Sequence, residues 1–151
     1  MKKNEYDVIV VKVIDGDTVD VDIDLGFGIW LRNQRVRIYG IDTPESRTSD
    51  DVEKLFGLAA KKRVEELLQN NVVLITTDDK HGEDSRGKFG RILGDFSTNY
   101  GLLTDILIEE GFCVKYFGGS KEDIKQQHLM NRKKLLDNGY VNKLDYDKLI
   151  P

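Results

Sequence analysis

The sequence RVRIYGIDTPE, residues 35–45, combines a strand pattern with an abrupt stop. Its first residues alternate between polar and apolar side chains, which predicts a strand with one buried face. Pro44 ends that strand, because proline has no amide hydrogen to donate and forces the preceding residue into an extended conformation. Asp42 and Glu45 are therefore predicted at a strand end. With Arg37 a few residues upstream, this turn brings cation-binding and anion-binding groups together.

A second carboxylate of interest lies upstream, in the sequence VIDGDTV at residues 13–19. In the strand that follows, apolar side chains occupy the odd-numbered positions and aspartates occupy positions 20, 22 and 24. Because side chains alternate between the two faces, the apolar face extends back to Asp17. A carboxylate on a buried side is costly unless it is paired, hydrogen-bonded or bound to a metal. We therefore predict a functional role for Asp17 and a surface position for the other three.

Composition bounds the class of protein. The chain has 151 residues, of which 39% are hydrophobic and 33% charged, as in soluble globular domains. Its formal net charge of -4 argues against a protein that coats nucleic acid through bulk positive charge. Any polyanion it binds must be met by local cations. The single cysteine, Cys113, excludes an internal disulfide framework, and no Cys and His pattern indicates a zinc site.

Neither a signal peptide nor a membrane-spanning segment is indicated in the chain as given. The first residues, MKKNEYD, are polar, and no apolar run approaches transmembrane length. We therefore expect a cytoplasmic protein with no membrane partner, acting as a monomer.

The hydrophobic pattern predicts five strands and three helices. Strands are expected over 8–14, 18–25, 29–41, 72–77 and 90–96, and helices over about 51–69, 102–110 and from residue 120 onward. Asp50 is predicted to cap the first helix, with the Glu53 side chain returning a hydrogen bond to it. This order predicts an α+β fold, a five-stranded OB-type β-barrel with three helices. We expect a single domain over 1–151, with a polar C-terminal tail over about 137–151 whose structure the pattern does not indicate.

The predicted strand ends place three carboxylates, Asp17, Asp42 and Glu45, in one pocket. A pair of like charges about 5 Å apart repels by roughly 3 kcal/mol at an effective dielectric constant near 20. We expect nothing else in the chain to balance this repulsion, so the arrangement predicts a bound divalent cation. Ligands that are all oxygen indicate a hard ion, Ca²⁺ or Mg²⁺.

Two arginines complete the predicted chemistry. Arg37 lies on the strand that leads to the pocket, and Arg91 begins the fifth strand. Two guanidinium groups and a metal ion suit attack on a phosphodiester, because negative charge grows on the phosphate oxygens in the transition state. Glu45 is positioned to orient or deprotonate the attacking water. We interpret His128 as a packing or capping residue with no part in this chemistry.

Several segments together resemble the thermonuclease family typified by staphylococcal nuclease. They occur in the family's order and spacing from about residue 6 to 136. The matching segments are residues 13–18, residues 37–45, residues 52–54 with Gly57, Ala59 and Ala60, residues 88–91 and residues 127–129.

This resemblance implies a set of roles. Calcium is expected to bind Asp17, Asp42 and the backbone carbonyl of Thr43, with Glu45 acting on water. Phosphate contacts are expected from Arg37, Arg91 and Lys88, and base stacking from Tyr116 or Phe117. The implied reaction is endonucleolytic hydrolysis of DNA and RNA, preferentially single-stranded, with little sequence preference and with 3′-phosphate ends.

Two other functions are compatible with such a fold. A non-catalytic OB-fold module would bind single-stranded nucleic acid or recruit a partner. A structural calcium-binding module would have no use for the arginines. A degenerate nuclease would be expected to lack one of its active-site residues, whereas this chain retains all five: Asp17, Arg37, Asp42, Glu45 and Arg91. The sequence therefore favours the phosphodiesterase.

Overall fold

The computed structural model describes residues 4–77 and 90–151. The strands in these ranges are β1 (Glu5–Asp15), β2 (Thr18–Gly26), β3 (Ile29–Ile38), β4 (Ile41–Asp42), β5 (Val72–Thr76), β6 (Ile92–Thr98), β7 (Gly101–Leu102) and β8 (Val114–Lys115). The helices are α1 (Asp51–Leu67), α2 (Leu103–Glu110), α3 (Glu122–Asp137) and α4 (Lys143–Leu149).

Five of the strands close into a barrel. β1, β2 and β3 form an antiparallel meander. β5 pairs antiparallel with β1, and β6 pairs antiparallel with β5. β6 then runs parallel to β3, with Arg37 opposite Leu93, and this pairing closes the sheet on itself. The predicted α+β fold with a five-stranded OB-type barrel is confirmed.

The barrel interior follows the period of two along its strands. On β2 the inward-facing side chains are Val19, Val21 and Ile23, each no more than 3% exposed. On the outer face of the same strand, Asp20 forms an ion pair with Arg35 of β3. The alternation of apolar and acidic residues in the sequence therefore matches the inner and outer faces of β2, the strand that begins directly after Asp17.

Helix α1 packs on the barrel through a buried stripe of Phe56, Gly57, Ala60, Val64 and Leu67. Asp50 caps the helix as predicted, because its side chain accepts hydrogen bonds from the backbone N–H groups of Val52 and Glu53. The predicted return bond from Glu53 is wrong. The Glu53 carboxylate accepts a hydrogen bond from the backbone N–H of Glu45 at 3.0 Å instead. This contact ties the start of α1 to the turn that carries a predicted catalytic residue.

The C-terminal segment forms one helix more than predicted. Residues 143–149 form α4, capped by the side chain of Asn142, whereas the sequence predicted three helices and a tail. The Tyr146 ring packs edge to face on Phe56 of α1, with 5.9 Å between the ring centroids. A helix this short is marginal in isolation, so its packing on α1 is what stabilises it. In the described part of the chain, no helix combines the length and the apolar character needed to cross a bilayer.

Candidate active site

One cleft lies where β2 begins and β3 ends, and it contains every predicted catalytic and metal-binding residue. Its volume is about 510 Å³. The residues that line it are Asp15, Asp17, Thr18, Arg37, Asp42, Thr43, Pro44, Glu45, Arg47, Arg91 and Lys121. The structure thus brings together side chains that are far apart in the sequence.

Strand pairing explains why these side chains meet. Thr18 pairs with Arg37 across the β2 and β3 ladder, so the residue before β2, Asp17, lies beside the guanidinium-bearing end of β3. Arg91 directly precedes β6, whose first residues pair with the same end of β3. β4 turns away from β3 and pairs with β8, which holds Asp42 at the rim of the barrel.

The Asp17 carboxylate is anchored by its neighbours. Its Oδ2 atom accepts a hydrogen bond from the backbone N–H of Thr43 at 3.2 Å and lies 3.6 Å from Nη2 of Arg37. Its Oδ1 atom accepts a hydrogen bond from the hydroxyl of Thr18 at 3.0 Å. The side chain is 14% exposed and lines the cleft. The inner carboxylate therefore also fixes the turn that carries Thr43.

Arg37 is held rigidly at the end of its strand. Nη1 donates to the carbonyl of Ile38 at 2.6 Å, and Nη2 donates to the carbonyl of Ile41 at 2.8 Å. The side chain is 19% exposed. Two backbone carbonyls and Asp17 therefore orient the guanidinium before any substrate binds, which is the preorganisation that charge stabilisation in a transition state requires.

Both oxygens of the Asp42 carboxylate contact side chains of the α3 region. Oδ1 lies 3.2 Å from Nζ of Lys121, and Oδ2 lies 2.9 Å from Nε2 of His128. Burial alone would raise the pKa of Asp42, but the hydrogen bond from His128 and the positive charge of Lys121 outweigh burial and lower it. Asp42 therefore remains ionised at neutral pH although it is only 7% exposed.

Glu45 stands on a turn that is anchored from both sides. Its side chain is exposed, while its backbone N–H is bound by Glu53. The next residue, Ser46, is 3% exposed and donates both its backbone N–H, at 3.3 Å, and its hydroxyl to Oδ1 of Asp15. The turn is thus fixed while the Glu45 carboxylate remains accessible to water and substrate.

The donor set fits a hard cation with few protein ligands. In residues 4–77 and 90–151, no three side chains of His, Cys, Asp or Glu are arranged so that they could hold a metal ion. Asp17, Asp42 and Thr43 line one cleft, and the Thr43 hydroxyl is buried without a hydrogen-bond partner among the described residues. Such an orphaned oxygen suits a bound ion or water. Asp17, Asp42 and the Thr43 carbonyl would hold the ion, with water or phosphate as further ligands.

One expectation about this cluster is wrong. The sequence predicted that nothing in the chain would balance the repulsion between the carboxylates. Arg37 contacts Asp17, and Lys121 contacts Asp42, so both carboxylates have a positively charged neighbour. The repulsion is consequently offset before any metal ion binds.

The two aromatic residues predicted to stack on a base do not line this cleft. The Tyr116 hydroxyl donates to the carbonyl of Gly119 at 2.7 Å, which ties the ring to its own loop. Phe117 is 56% exposed and packs edge to face on Tyr39, with 5.6 Å between ring centroids. Neither aromatic side chain lines the cleft, although the exposed Phe117 is the one available for stacking. Lys88 lies outside the described residues.

Sequence reasoning did not connect Lys121 or His128 to the site. His128 shares the inward face of α3 with buried Asn131, and a polar side chain there needs a partner. Lys121 stands at the N-terminus of α3, where a positive charge opposes the helix dipole and therefore needs an anion nearby. The sequence therefore indicates that both side chains need a polar or charged partner, but it does not identify that partner as Asp42.

Comparison with known proteins gives several relatives whose names describe nucleases. A family model described as "Staphylococcal nuclease homologue" matches residues 35–136. The chain is 33% identical over 121 residues to a thermonuclease of Staphylococcus intermedius, covering 77% of this chain and 66% of that protein. It is 27% identical over 148 residues to the SPbeta prophage-derived endonuclease YokF of Bacillus subtilis (strain 168), and this match covers 92% of this chain and 47% of that protein. An uncharacterized protein of Methanocaldococcus jannaschii, MJ1439, is 28% identical over 149 residues.

The chain spans 66% of the length of the Staphylococcus intermedius thermonuclease, 47% of YokF, 67% of MJ1439 and only 9% of endonuclease YhcR of Bacillus subtilis (strain 168). The family match nevertheless covers more than half of the chain and includes the end of β3, β4, the Glu45 turn and all but the last residue of α3. The chain therefore belongs to the staphylococcal nuclease homologue family.

Proposed function

We propose that this chain is a calcium-dependent phosphodiesterase that cleaves DNA and RNA internally with little sequence preference. The observation that carries the proposal is the single cleft lined by Asp17, Arg37, Asp42, Glu45 and Arg91. Carboxylates that can hold a cation, guanidinium groups and an accessible carboxylate that can act as a base are the groups that phosphodiester hydrolysis needs in one place. Relatives named thermonuclease and endonuclease support the same reaction class.

In the proposed reaction, water attacks phosphorus and the bond from phosphorus to the 5′ oxygen breaks. The Glu45 carboxylate orients the water and accepts its proton. Arg37 and Arg91 donate to the non-bridging oxygens, where negative charge grows in the transition state. A bound calcium ion, held by Asp17, Asp42 and the Thr43 carbonyl, would supply positive charge beside the same phosphate. The 5′ oxygen takes up a proton from solvent as it leaves, so the products are a 3′-phosphate and a free 5′-hydroxyl.

Single-stranded nucleic acid is the proposed preferred substrate. The cleft is open to solvent and contains cationic side chains, whereas the net charge of the whole chain is -4. A flexible strand can bring one phosphate into such a cleft without bringing a second backbone close to the acidic surface. Phe117 is the proposed stacking residue and Lys88 a proposed contact to a neighbouring phosphate. All the residues of the proposed mechanism belong to one chain, so we propose that a monomer suffices.

The test uses end-labelled single-stranded DNA, double-stranded DNA and RNA, each with Ca²⁺, Mg²⁺ or EDTA. We expect cleavage with Ca²⁺, weaker cleavage with Mg²⁺, which demands stricter octahedral geometry, and none in EDTA. Removal of the new terminal phosphate by a phosphatase identifies the 3′-phosphate. Full cleavage in EDTA would remove the metal from the mechanism. Binding without cleavage under every condition would favour the non-catalytic OB-fold module instead.

A further inference from the structure

The N-terminal part of α3 and the residue before it place two different side chains on one carboxylate. Lys121 lies 3.2 Å from Oδ1 of Asp42, and His128 lies 2.9 Å from Oδ2. We propose that the two side chains act in opposite directions on cation binding, with His128 holding the carboxylate in position and Lys121 competing with the cation for Oδ1. This inference rests on the proposed function, since it requires Asp42 to be a cation ligand.

His128 is attached to a rigid support. Its side chain is 18% exposed and projects from the face of α3 that also carries buried Asn131 and Leu135. Asn131 donates to the carbonyl of Cys113 at 3.1 Å, which ties the helix to the segment before β8. A hydrogen bond to one oxygen of a carboxylate ligand fixes the direction of its other oxygen. His128 is therefore a positioning residue that acts through Asp42.

Lys121 is attached differently. Its side chain is 64% exposed, and it lines the cleft beside Glu45 and Arg91. Its ammonium group is positively charged at neutral pH and forms an ion pair with the Asp42 carboxylate. An ammonium group and a divalent cation cannot both bind Oδ1 without strong repulsion. The flexible, solvent-exposed lysine is the one that leaves when a cation arrives.

The structure thus separates a fixed neighbour of Asp42 from a displaceable one. Without a cation, Lys121 compensates the charge of a carboxylate that is only 7% exposed. With a cation, the lysine must give up that ion pair, and the cost reduces cation affinity. Removal of Lys121 should therefore strengthen cation binding, while removal of the His128 hydrogen bond should weaken it. A merely structural role for either side chain would not produce this opposition of sign.

The experiment is isothermal titration of the full chain with Ca²⁺, without nucleic acid. We expect Lys121→Met to tighten binding about two- to fivefold, the range of an exposed ion pair. We expect His128→Leu to weaken binding about 10- to 100-fold, as for loss of a hydrogen bond to a ligating group. His128→Gln offers a donor at the end of its side chain and should recover most of that loss. Thermal unfolding checks that each variant is folded.

A matched control is Lys125→Met, which removes the same charge one turn further along α3 from an exposed position. It should change the affinity less than Lys121→Met. Equal changes in Ca²⁺ affinity in the two lysine variants would mean that any nearby positive charge has this effect. Direct competition between Lys121 and the cation would then be disproved. Equal losses in His128→Leu and His128→Gln, or no loss in either, would overturn the positioning role. If the wild-type chain binds Ca²⁺ and no variant differs, only this inference fails; if the wild-type chain binds none, the metal in the proposed function fails with it.

Discussion

Gly57 of α1 packs directly against the backbone of Glu45. A Cβ atom at position 57 would lie 2.2 Å from the carbonyl oxygen of Glu45 and 2.6 Å from the backbone nitrogen of Ser46. A glycine inside a helix costs roughly 0.5–1 kcal/mol relative to alanine, so its presence needs a reason. The close approach of the helix to the Glu45 turn supplies that reason, because backbone atoms cannot move aside as a flexible side chain can.

Substitution of Gly57 by alanine should therefore impair catalysis through displacement of the Glu45 turn. We expect kcat to fall by about 10²-fold, the scale expected when catalytic geometry shifts by about 1 Å. Steady-state cleavage assays with Ca²⁺ measure the change. The control is Leu58→Ala, on the same helix at a side chain that is 45% exposed. Wild-type kcat in Gly57→Ala would mean that the turn can move without consequence.

A second prediction concerns the stability of the chain without metal. The contacts of Asp42 with Lys121 and His128 mean that Asp42→Ala removes partners as well as charge repulsion. His128, with a side chain only 18% exposed, would lose its hydrogen bond, at a cost of about 1–3 kcal/mol. Urea unfolding in EDTA should show this loss, with Asp147→Ala on the surface of α4 as the control. A gain in unfolding free energy would mean that carboxylate repulsion still dominates the cluster.

The barrel and the cleft were predictable because their signals are local. Alternating side chains define the faces of β2, and Pro44 marks the end of the strand before Glu45. Asp17 and Arg37 then meet because the antiparallel meander aligns the start of β2 with the end of β3. For Asp17 and Arg37, the position along the strand was enough to predict the location in the cleft, since strand geometry and side-chain chemistry both indicate it.

The contacts made by α3 were not predictable in this way. His128 and Asp42 are separated by 86 positions, and no periodicity relates one to the other. The capping prediction for Glu53 was wrong for a similar reason. The Glu53 carboxylate accepts a hydrogen bond from the backbone N–H of Glu45, and this donor comes near α1 only in the folded chain. Helix α4 is seven residues long and depends on the contact of Tyr146 with Phe56. Such short elements are decided by packing and not by their own pattern.

The buried cysteine gives a third prediction. Burial, with smaller contributions from the charges of Asp17, Asp42 and Asp95, raises the pKa of Cys113 to about 12. The thiol therefore remains protonated until strongly alkaline pH, and the thiolate is the reactive species. We expect no reaction with a thiol reagent at pH 8 in the native protein and one thiol per chain after unfolding in guanidinium chloride. An added surface cysteine, Ser49→Cys, should react at once. Fast reaction of native Cys113 would indicate frequent local opening near β8.

The last prediction separates binding from chemistry at the cleft. Arg37 is fixed by the carbonyls of Ile38 and Ile41, so a lysine there would retain the charge but lose the two-pronged geometry. Arg37→Lys and Arg91→Lys should each lower kcat by about 10²-fold or more, as for loss of one preorganised donor. Arg35→Lys, on the outer face of β3, is the matched control.

Glu45→Gln completes the set, because glutamine keeps the shape of the side chain but cannot accept the proton of the attacking water. We expect its kcat to fall while its affinity for a non-hydrolysable substrate stays near that of the wild type, since the backbone N–H of Glu45 still anchors the turn to Glu53. Measurement of kcat and KM at saturating Ca²⁺ distinguishes the roles. Effects confined to KM at Arg37, Arg91 and Glu45 would reduce all three to substrate-docking residues, and the proposed mechanism would then fail even if the chain cleaves nucleic acid.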